Sequence, residues 1–216
     1  MKHSAVIFDL DGTLLDTLKD LADSVNSALG YLGLPEHDLE AYRYFVGDGR
    51  EAMASRALPE DRRDTATLNR IIPRINEEYS RRWAENTRPY PGIPELLDEL
   101  TGSNVRMAIL TNKPHDFTEL MVSRLLPQWQ FEPIIGAMPS LPKKPDPTGA
   151  LKIAQQLNIK PTGFLYLGDS DIDMKTAAAA DMYPLGALWG FRTAGELLAG
   201  GARALLQEPA ELLSFL

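Results

Sequence analysis

The 216-residue chain has no cysteine, so disulfides, thiolate catalysis and thiolate metal sites are excluded. It is short of positive charge, with 22 Lys and Arg against 30 Asp and Glu and a formal net charge of −8. That disfavours nucleic acid and anionic membrane surfaces as partners, because both require a basic face. It does not exclude an anionic substrate, since a bound cation reverses the local sign. No apolar run approaches the length needed to span a bilayer. Met1-Lys2-His3-Ser4 leads straight into a strand pattern with no secretory signal, and the expectation is a cytoplasmic protein. Internal repeats and low-complexity segments are absent.

What is present is an ordinary globular composition, 44% hydrophobic and 24% charged, arranged around one stretch. Ala5-Val6-Ile7-Phe8 reads as a buried strand. Asp9 is the first polar residue after it and belongs at the strand's carboxyl end. Asp11 follows two residues later, and Gly12 lets the chain turn away. Two carboxylates this close repel unless a cation joins them or one is protonated. The plainer alternative is a polar turn in which both cap backbone amides.

From Thr17 the apolar period becomes helical, with Asp16 as expected N-cap. Helical patterns cover Asp38 to Phe45, Glu51 to Leu58 and Arg62 to Glu85, where Pro73 should kink or split the helix. No strand signal occurs between Leu14 and Tyr90. Beyond the linker-like Arg88-Pro89-Tyr90-Pro91-Gly92, strands expected at Val105 to Leu110, within Phe131 to Ala137, at Phe164 to Leu167 and at Leu185 to Trp189 alternate with helices. That alternation implies an α/β fold, a parallel sheet with helices on both faces. The helical block is then an insertion. The expected division is a core of residues 1–15 and 88–216 and a helical cap of residues 16–87.

Ligands of open parallel sheets bind beyond the carboxyl ends of the strands. The first polar residues after the apolar runs are Asp9, Thr111 and Asp169, with Asp171 and Asp173 just past the last and Lys143-Lys144 in the loop after another candidate strand. Carboxylates without nearby His or Cys suit a hard cation such as Mg²⁺, and Thr, Asn and Lys suit phosphoryl oxygens. Together they are what phosphoryl transfer through an aspartyl phosphate needs. Each residue also has a plainer reading. Thr111 would serve as N-cap of the next helix, Asp169 and Asp173 as acids favoured at a helix start, and the lysines as solvated loop charges. Asp171 is read as a capping or solvent-facing acid and His115 as a cap or surface residue.

Asp9-Leu10-Asp11-Gly12-Thr13-Leu14, Thr111-Asn112, Lys144-Pro145 and Gly168-Asp169-Ser170-Asp171-Ile172-Asp173 resemble, in order, the four motifs of the haloacid dehalogenase (HAD) superfamily. Val46-Gly47-Asp48-Gly49, Tyr90-Pro91-Gly92, Thr111-Asn112-Lys113-Pro114, Lys144-Pro145-Asp146-Pro147 and Trp189-Gly190-Phe191-Arg192 resemble its phosphoglycolate phosphatase branch. The resemblance covers the whole chain and implies a doubly wound, Rossmann-like core with an α-helical cap. It implies a Mg²⁺-dependent phosphomonoester hydrolase acting on a small phosphorylated metabolite. In that reading Asp9 is the nucleophile and Asp11 the acid and then base. Mg²⁺ is held by Asp9, the Asp11 backbone carbonyl and Asp169, with Asp173 orienting metal-bound water. Thr111 and Asn112 hold phosphoryl oxygens, and Lys144 pairs with Asp9 and the phosphate. Lys144 is chosen over Lys143 because it directly precedes Pro145. Arg50, after the Gly47-Asp48-Gly49 turn, is expected to meet the non-reacting end of the substrate. If that end is a carboxylate, phosphoglycolate is the leading candidate. No role follows for Phe191 or Arg192, or any oligomeric state. Ala180-Asp181-Met182 stands where the family often has Ala-Gly-Met, which asks Asp181 to take a left-handed conformation.

Two other functions remain in view. A phosphosugar mutase would keep both aspartates and differ only in the cap. A receiver-like phospho-acceptor would use similar residues, but is shorter, uncapped, and carries its acceptor after a middle strand. Haloacid dehalogenases lack the second aspartate, so Asp11 argues against dehalogenation.

Overall fold

The computed structural model describes residues 3–216. The chain divides into two compact units, one comprising residues up to Leu15 with Pro89–Leu216, the other Asp16–Arg88.

The first unit is built on a six-stranded parallel sheet. Its strands are β1 (Ala5–Phe8), β4 (Arg106–Pro114), β5 (Ile134–Ala137), β6 (Phe164–Gly168), β7 (Tyr183–Ala187) and β8 (Ala204–Leu206), in the order β5-β4-β1-β6-β7-β8. Every residue of β1 is fully shielded, which explains its unbroken apolar run: a central parallel strand is covered on both faces. Helices α5 (Ile93–Gly102), α6 (His115–Leu125), α7 (Thr148–Leu157), α8 (Asp171–Ala179) and α9 (Ala194–Gly200) form the crossovers. On one face Ala5, Ile7, Ala108, Leu110, Phe164 and Tyr166 pack with Ile153, Ala154 and Ala177 of α7 and α8. The chain runs outward from β1 through β4 to β5, then returns to β6 on the other side of β1. That reversal at β1 is the topological switch point where an open sheet leaves a crevice at its carboxyl edge.

The second unit holds α1 (Leu18–Tyr31), α2 (Leu39–Phe45), α3 (Arg50–Ala57) and α4 (Thr65–Arg82). Val25, Ala28 and Leu29 of α1, Tyr42 of α2, Ala54 of α3 and Ile71 of α4 are fully buried, the one-sided spacing of amphipathic helices. Asp38 and Asp64 cap α2 and α4 by accepting from the N–H groups of Ala41 and Thr67. No described helix is long and apolar enough to cross a membrane.

Several local expectations need correction. Asp16 is not the N-cap of α1; it lies in β2 (Leu15–Asp16), and Thr17 takes the cap position. β2 pairs with β3 (Arg88–Pro89), so the stretch expected to lack strands has a short one at each end. These two-residue pieces are too short to show a period of two. α4 is not split by Pro73 and runs through it. β4 continues four residues past Leu110, because Pro114 still pairs with β5 after a register shift. Thr111 is therefore strand and not a cap; α6 begins at His115, behind Pro114. β7 sits two residues earlier than expected, its register set by Leu165 opposite Tyr183 and Gly168 opposite Gly186. Asp181 does adopt the left-handed conformation, with φ 58°.

Candidate active site

Asp9 follows the last residue of β1 and is 7% exposed. The turn after it is closed by the N–H groups of Thr13, Leu14 and Leu15, which all donate to the Leu10 carbonyl. Gly12 has φ 81°, a conformation that L side chains adopt at a cost. Leu10 N–H donates to Asp9 Oδ1 at 2.7 Å, and Lys144 Nζ lies 3.0 Å from the same oxygen.

Lys144 also donates to Asp173 Oδ1 at 2.6 Å, and its ammonium joins a carboxylate from the turn after β1 to one from the start of α8. Lys143 is exposed, so Lys144 is the lysine brought to the carboxylates. Asn112 holds it there: Lys144 N–H donates to Asn112 Oδ1 at 2.9 Å, and Asn112 Nδ2 donates to the Lys144 carbonyl at 3.1 Å. The Asn112 side chain, expected to face phosphoryl oxygens, is thus engaged with the backbone of the lysine loop. Thr111 is buried at the same rim, its hydroxyl accepting from Lys113 N–H at 3.3 Å.

Asp169 lies in the β6–α8 turn and Asp173 in the first turn of α8. Ser170 and Asp173 form a capping box at the start of α8, with both the Ser170 N–H and its hydroxyl donating to Asp173 Oδ2. The helix-start reading therefore holds for Asp173. Asp169 Oδ2 accepts from Phe191 N–H at 2.7 Å, and Thr13 Oγ1 donates to Oδ1 at 3.4 Å. A Cβ on Gly168 would stand 2.3 Å from Asp173, so only glycine allows that carboxylate to fold back against β6. Asp171 is half-exposed and pairs with Lys175, as a surface acid should.

One carboxylate oxygen from each of Asp9, Asp169 and Asp173 lies within 4.8 Å of the others, all three residues buried. Burial and the repulsion of Asp173 push Asp9 up to about 7, although Lys144 pulls it down. Burial, Asp173 and Asp9 hold Asp169 well above the usual carboxylate range. Desolvated carboxylates that repel one another are stabilised by a hard cation, and an all-oxygen donor set fits Mg²⁺. Asp173, expected to orient metal-bound water, lies in the same cluster as the two expected carboxylate ligands Asp9 and Asp169. The Asp11 carboxylate is not one of the three, although its charge also acts to raise Asp9.

Asp11 has a partner that the sequence reading missed. Lys113 Nζ, with its side chain 4% exposed, lies 3.0 and 3.1 Å from the two Asp11 oxygens. No periodic signal marks Lys113, because residues 107–113 of β4 are all buried and the pairing with β5 is irregular between Leu110 and Pro114. In the helical unit, Arg50 opens α3 and donates from Nη1 to Asn76 Oδ1 at 2.6 Å; its Nε is buried without a hydrogen-bond partner.

Residues 6–187 match the model of the haloacid dehalogenase-like hydrolases. The chain belongs to that family. It is 38% identical to a phosphoglycolate phosphatase of Nitrosospira multiformis over 180 residues, 82% of this chain and 79% of the relative. It is 32% identical to one of Xanthomonas campestris pv. campestris over 209 residues, 96% and 94% of the two chains. The structure of a haloacid dehalogenase-like hydrolase of Streptococcus pneumoniae superimposes with a TM-score of 0.88 at 25% identity, covering 99% of this chain and 98% of that one. The expected kinship with the phosphoglycolate phosphatase branch is met, and the chain is a phosphatase.

Proposed function

We propose that this phosphatase hydrolyses a small anionic phosphomonoester through an aspartyl phosphate on Asp9, with phosphoglycolate the leading substrate. The observation that carries the reading is the buried cluster of Asp9, Asp169 and Asp173, bridged by Lys144, at the switch point of the sheet. The Asp9 carboxylate attacks phosphorus and the ester P–O bond breaks. Asp11 protonates the departing oxygen, then takes a proton from the water that attacks the acyl phosphate, releasing inorganic phosphate and restoring Asp9. Asp9 and Asp169, with the Asp11 carbonyl oxygen, would hold Mg²⁺, which supplies charge neutralisation between nucleophile and phosphoryl group. Lys144 adds a fixed positive charge beside Asp9. Asp173 holds that lysine in place and orients water near the cation. Thr111 and the main-chain amide of Asn112 meet phosphoryl oxygens, while the Asn112 side chain steadies the Lys144 loop. Arg50 takes the carboxylate of the substrate, a task that suits a planar fork of donors.

A panel of phosphorylated metabolites assayed with Mg²⁺ tests the substrate class, and intact-mass measurement of an activated aryl phosphate reaction tests the route. The expected result is a phosphoryl adduct that accumulates in Asp11→Asn and is absent from Asp9→Asn. An adduct that persists in Asp9→Asn overturns the assignment of the nucleophile.

A further inference from the structure

Trp189-Gly190-Phe191 enters the sequence reading without a role, yet each of the three residues meets the site. After β7, Leu188 N–H bonds the Leu206 carbonyl, and the chain passes over the ends of β1 and β6. Trp189 Nε1–H donates to the Thr13 carbonyl at 3.0 Å. Gly190 approaches so closely that a Cβ there would stand 2.2 Å from Asp169 Cβ and 2.5 Å from the Gly12 carbonyl oxygen. Phe191 N–H donates to Asp169 Oδ2, and its ring would lie 2.9 Å from a Cβ on Gly12. Three consecutive residues therefore touch the turn that follows Asp9 on one side and Asp169 on the other.

We propose that Trp189–Phe191 is a positioning clamp that sets the spacing and aim of Asp169 against the Asp9–Thr13 turn, and thereby the affinity of the site for a divalent cation. The inference rests on the reading of Asp169 as a cation ligand. A carboxylate with one oxygen held by a main-chain N–H has lost its freedom to rotate about its last bond. Mg²⁺ demands near-octahedral geometry with short ligand distances, so a small displacement between two ligand-bearing loops weakens it. The contacts come from the Trp189 indole N–H and from the main chain of Gly190 and Phe191, and none of them supplies a ligand atom to the cluster.

Calorimetric titration of the substrate-free enzyme with Mg²⁺ tests this, with thermal melts of the metal-free variants as the measure of folding. Trp189→Phe keeps the aromatic bulk and removes the indole N–H. It should raise the Mg²⁺ dissociation constant about three- to tenfold, the effect of one neutral hydrogen bond, with a melt close to wild type. Gly190→Ala, which drives a methyl between Asp169 and Gly12, should weaken Mg²⁺ more than tenfold; should it fail to fold, Trp189→Phe decides alone. Asp169→Asn is the reference. If Asp169→Asn binds Mg²⁺ like wild type, the cation reading itself falls. If Asp169→Asn weakens binding while Trp189→Phe does not, the clamp is overturned.

Discussion

Asp20 in the helical unit and Asp9 in the α/β unit are both almost wholly shielded from solvent, but their surroundings differ in kind. Asp20, on α1, accepts from the N–H and Nδ2 of Asn86 and from the N–H and hydroxyl of Thr87. Burial opposes its charge, yet these donors outweigh that and hold its carboxyl below the ordinary value. Asp9 faces Asp173 and is pushed up to about 7 despite Lys144. The first carboxylate staples the chain leaving α4 to the first helix of its unit. The second is kept in an environment that a cation improves. Buried charge that is fully satisfied by neutral donors serves the fold; buried charge left in mutual repulsion marks the site.

The sharpest way to break that comparison is to remove each carboxylate and read activity and stability separately. Asp9→Asn should lower kcat by at least about 10⁴-fold while changing unfolding free energy by less than about 1 kcal/mol, because a repulsion goes with the charge. A large loss of stability, measured by urea unfolding, would make Asp9 a structural group like Asp20.

Asp20→Ala should do the reverse. It leaves buried donors unsatisfied and should cost about 3 kcal/mol of stability, seen in the same unfolding experiment. The two groups also differ in the sign of their pH dependence. The stabilisation from Asp20, whose folded pKa is depressed, is present above its unfolded value of 3.8 and is lost as pH falls through the folded value. In the metal-free protein the contribution of Asp9 runs the other way, present below 3.8 and lost as pH rises towards about 7. Melting curves from pH 3 to 8 should show Mg²⁺ raising stability mainly at the upper end.

Asp11 stands between these cases, satisfied by one cation. Lys113→Met should lower kcat for an alkyl phosphate by about tenfold to a hundredfold, whereas the first burst of aryl alcohol from an activated aryl phosphate should be nearly unchanged. Lys113→Arg should recover part of the loss. Equal losses in both assays would make Lys113 a packing residue only.

Arg50→Ala should lower kcat/KM for phosphoglycolate by roughly tenfold to a hundredfold, the loss of one charge-assisted contact of about 1.5 to 3 kcal/mol. It should affect an aryl phosphate without a carboxylate much less. Equal effects would return Arg50, already bound to Asn76, to the interior of the helical unit.

Much of the architecture was legible in linear order. The apolar run at Ala5–Phe8, the alternation of strands and helices after Pro91, and the helical block between them are local patterns, set by which side chains avoid water with which period. Asp9, Thr111, Lys144, Asp169 and Asp173 were visible for the same reason, as the polar residues that end apolar runs or sit in the loops beyond them. Short pieces were not legible: β2 and β3 carry no period, and Thr17 displaces Asp16 as cap by a single residue.

The sequence by itself determined the fold class, the order of the elements and the set of carboxylates at one edge of the sheet, because burial period and chain order are local properties. Only the tertiary structure decided how those groups are paired. Lys144 joins Asp9 to Asp173, Lys113 takes Asp11, Asn112 steadies the lysine loop, and Phe191 N–H aims Asp169. Each of those pairs joins residues at least 29 positions apart, except Phe191 and Asp169, which are 22 apart. A hydrogen bond depends on distances of a few tenths of an ångström, and those are fixed by the parallel register of β1, β4 and β6, which no local pattern in the chain encodes.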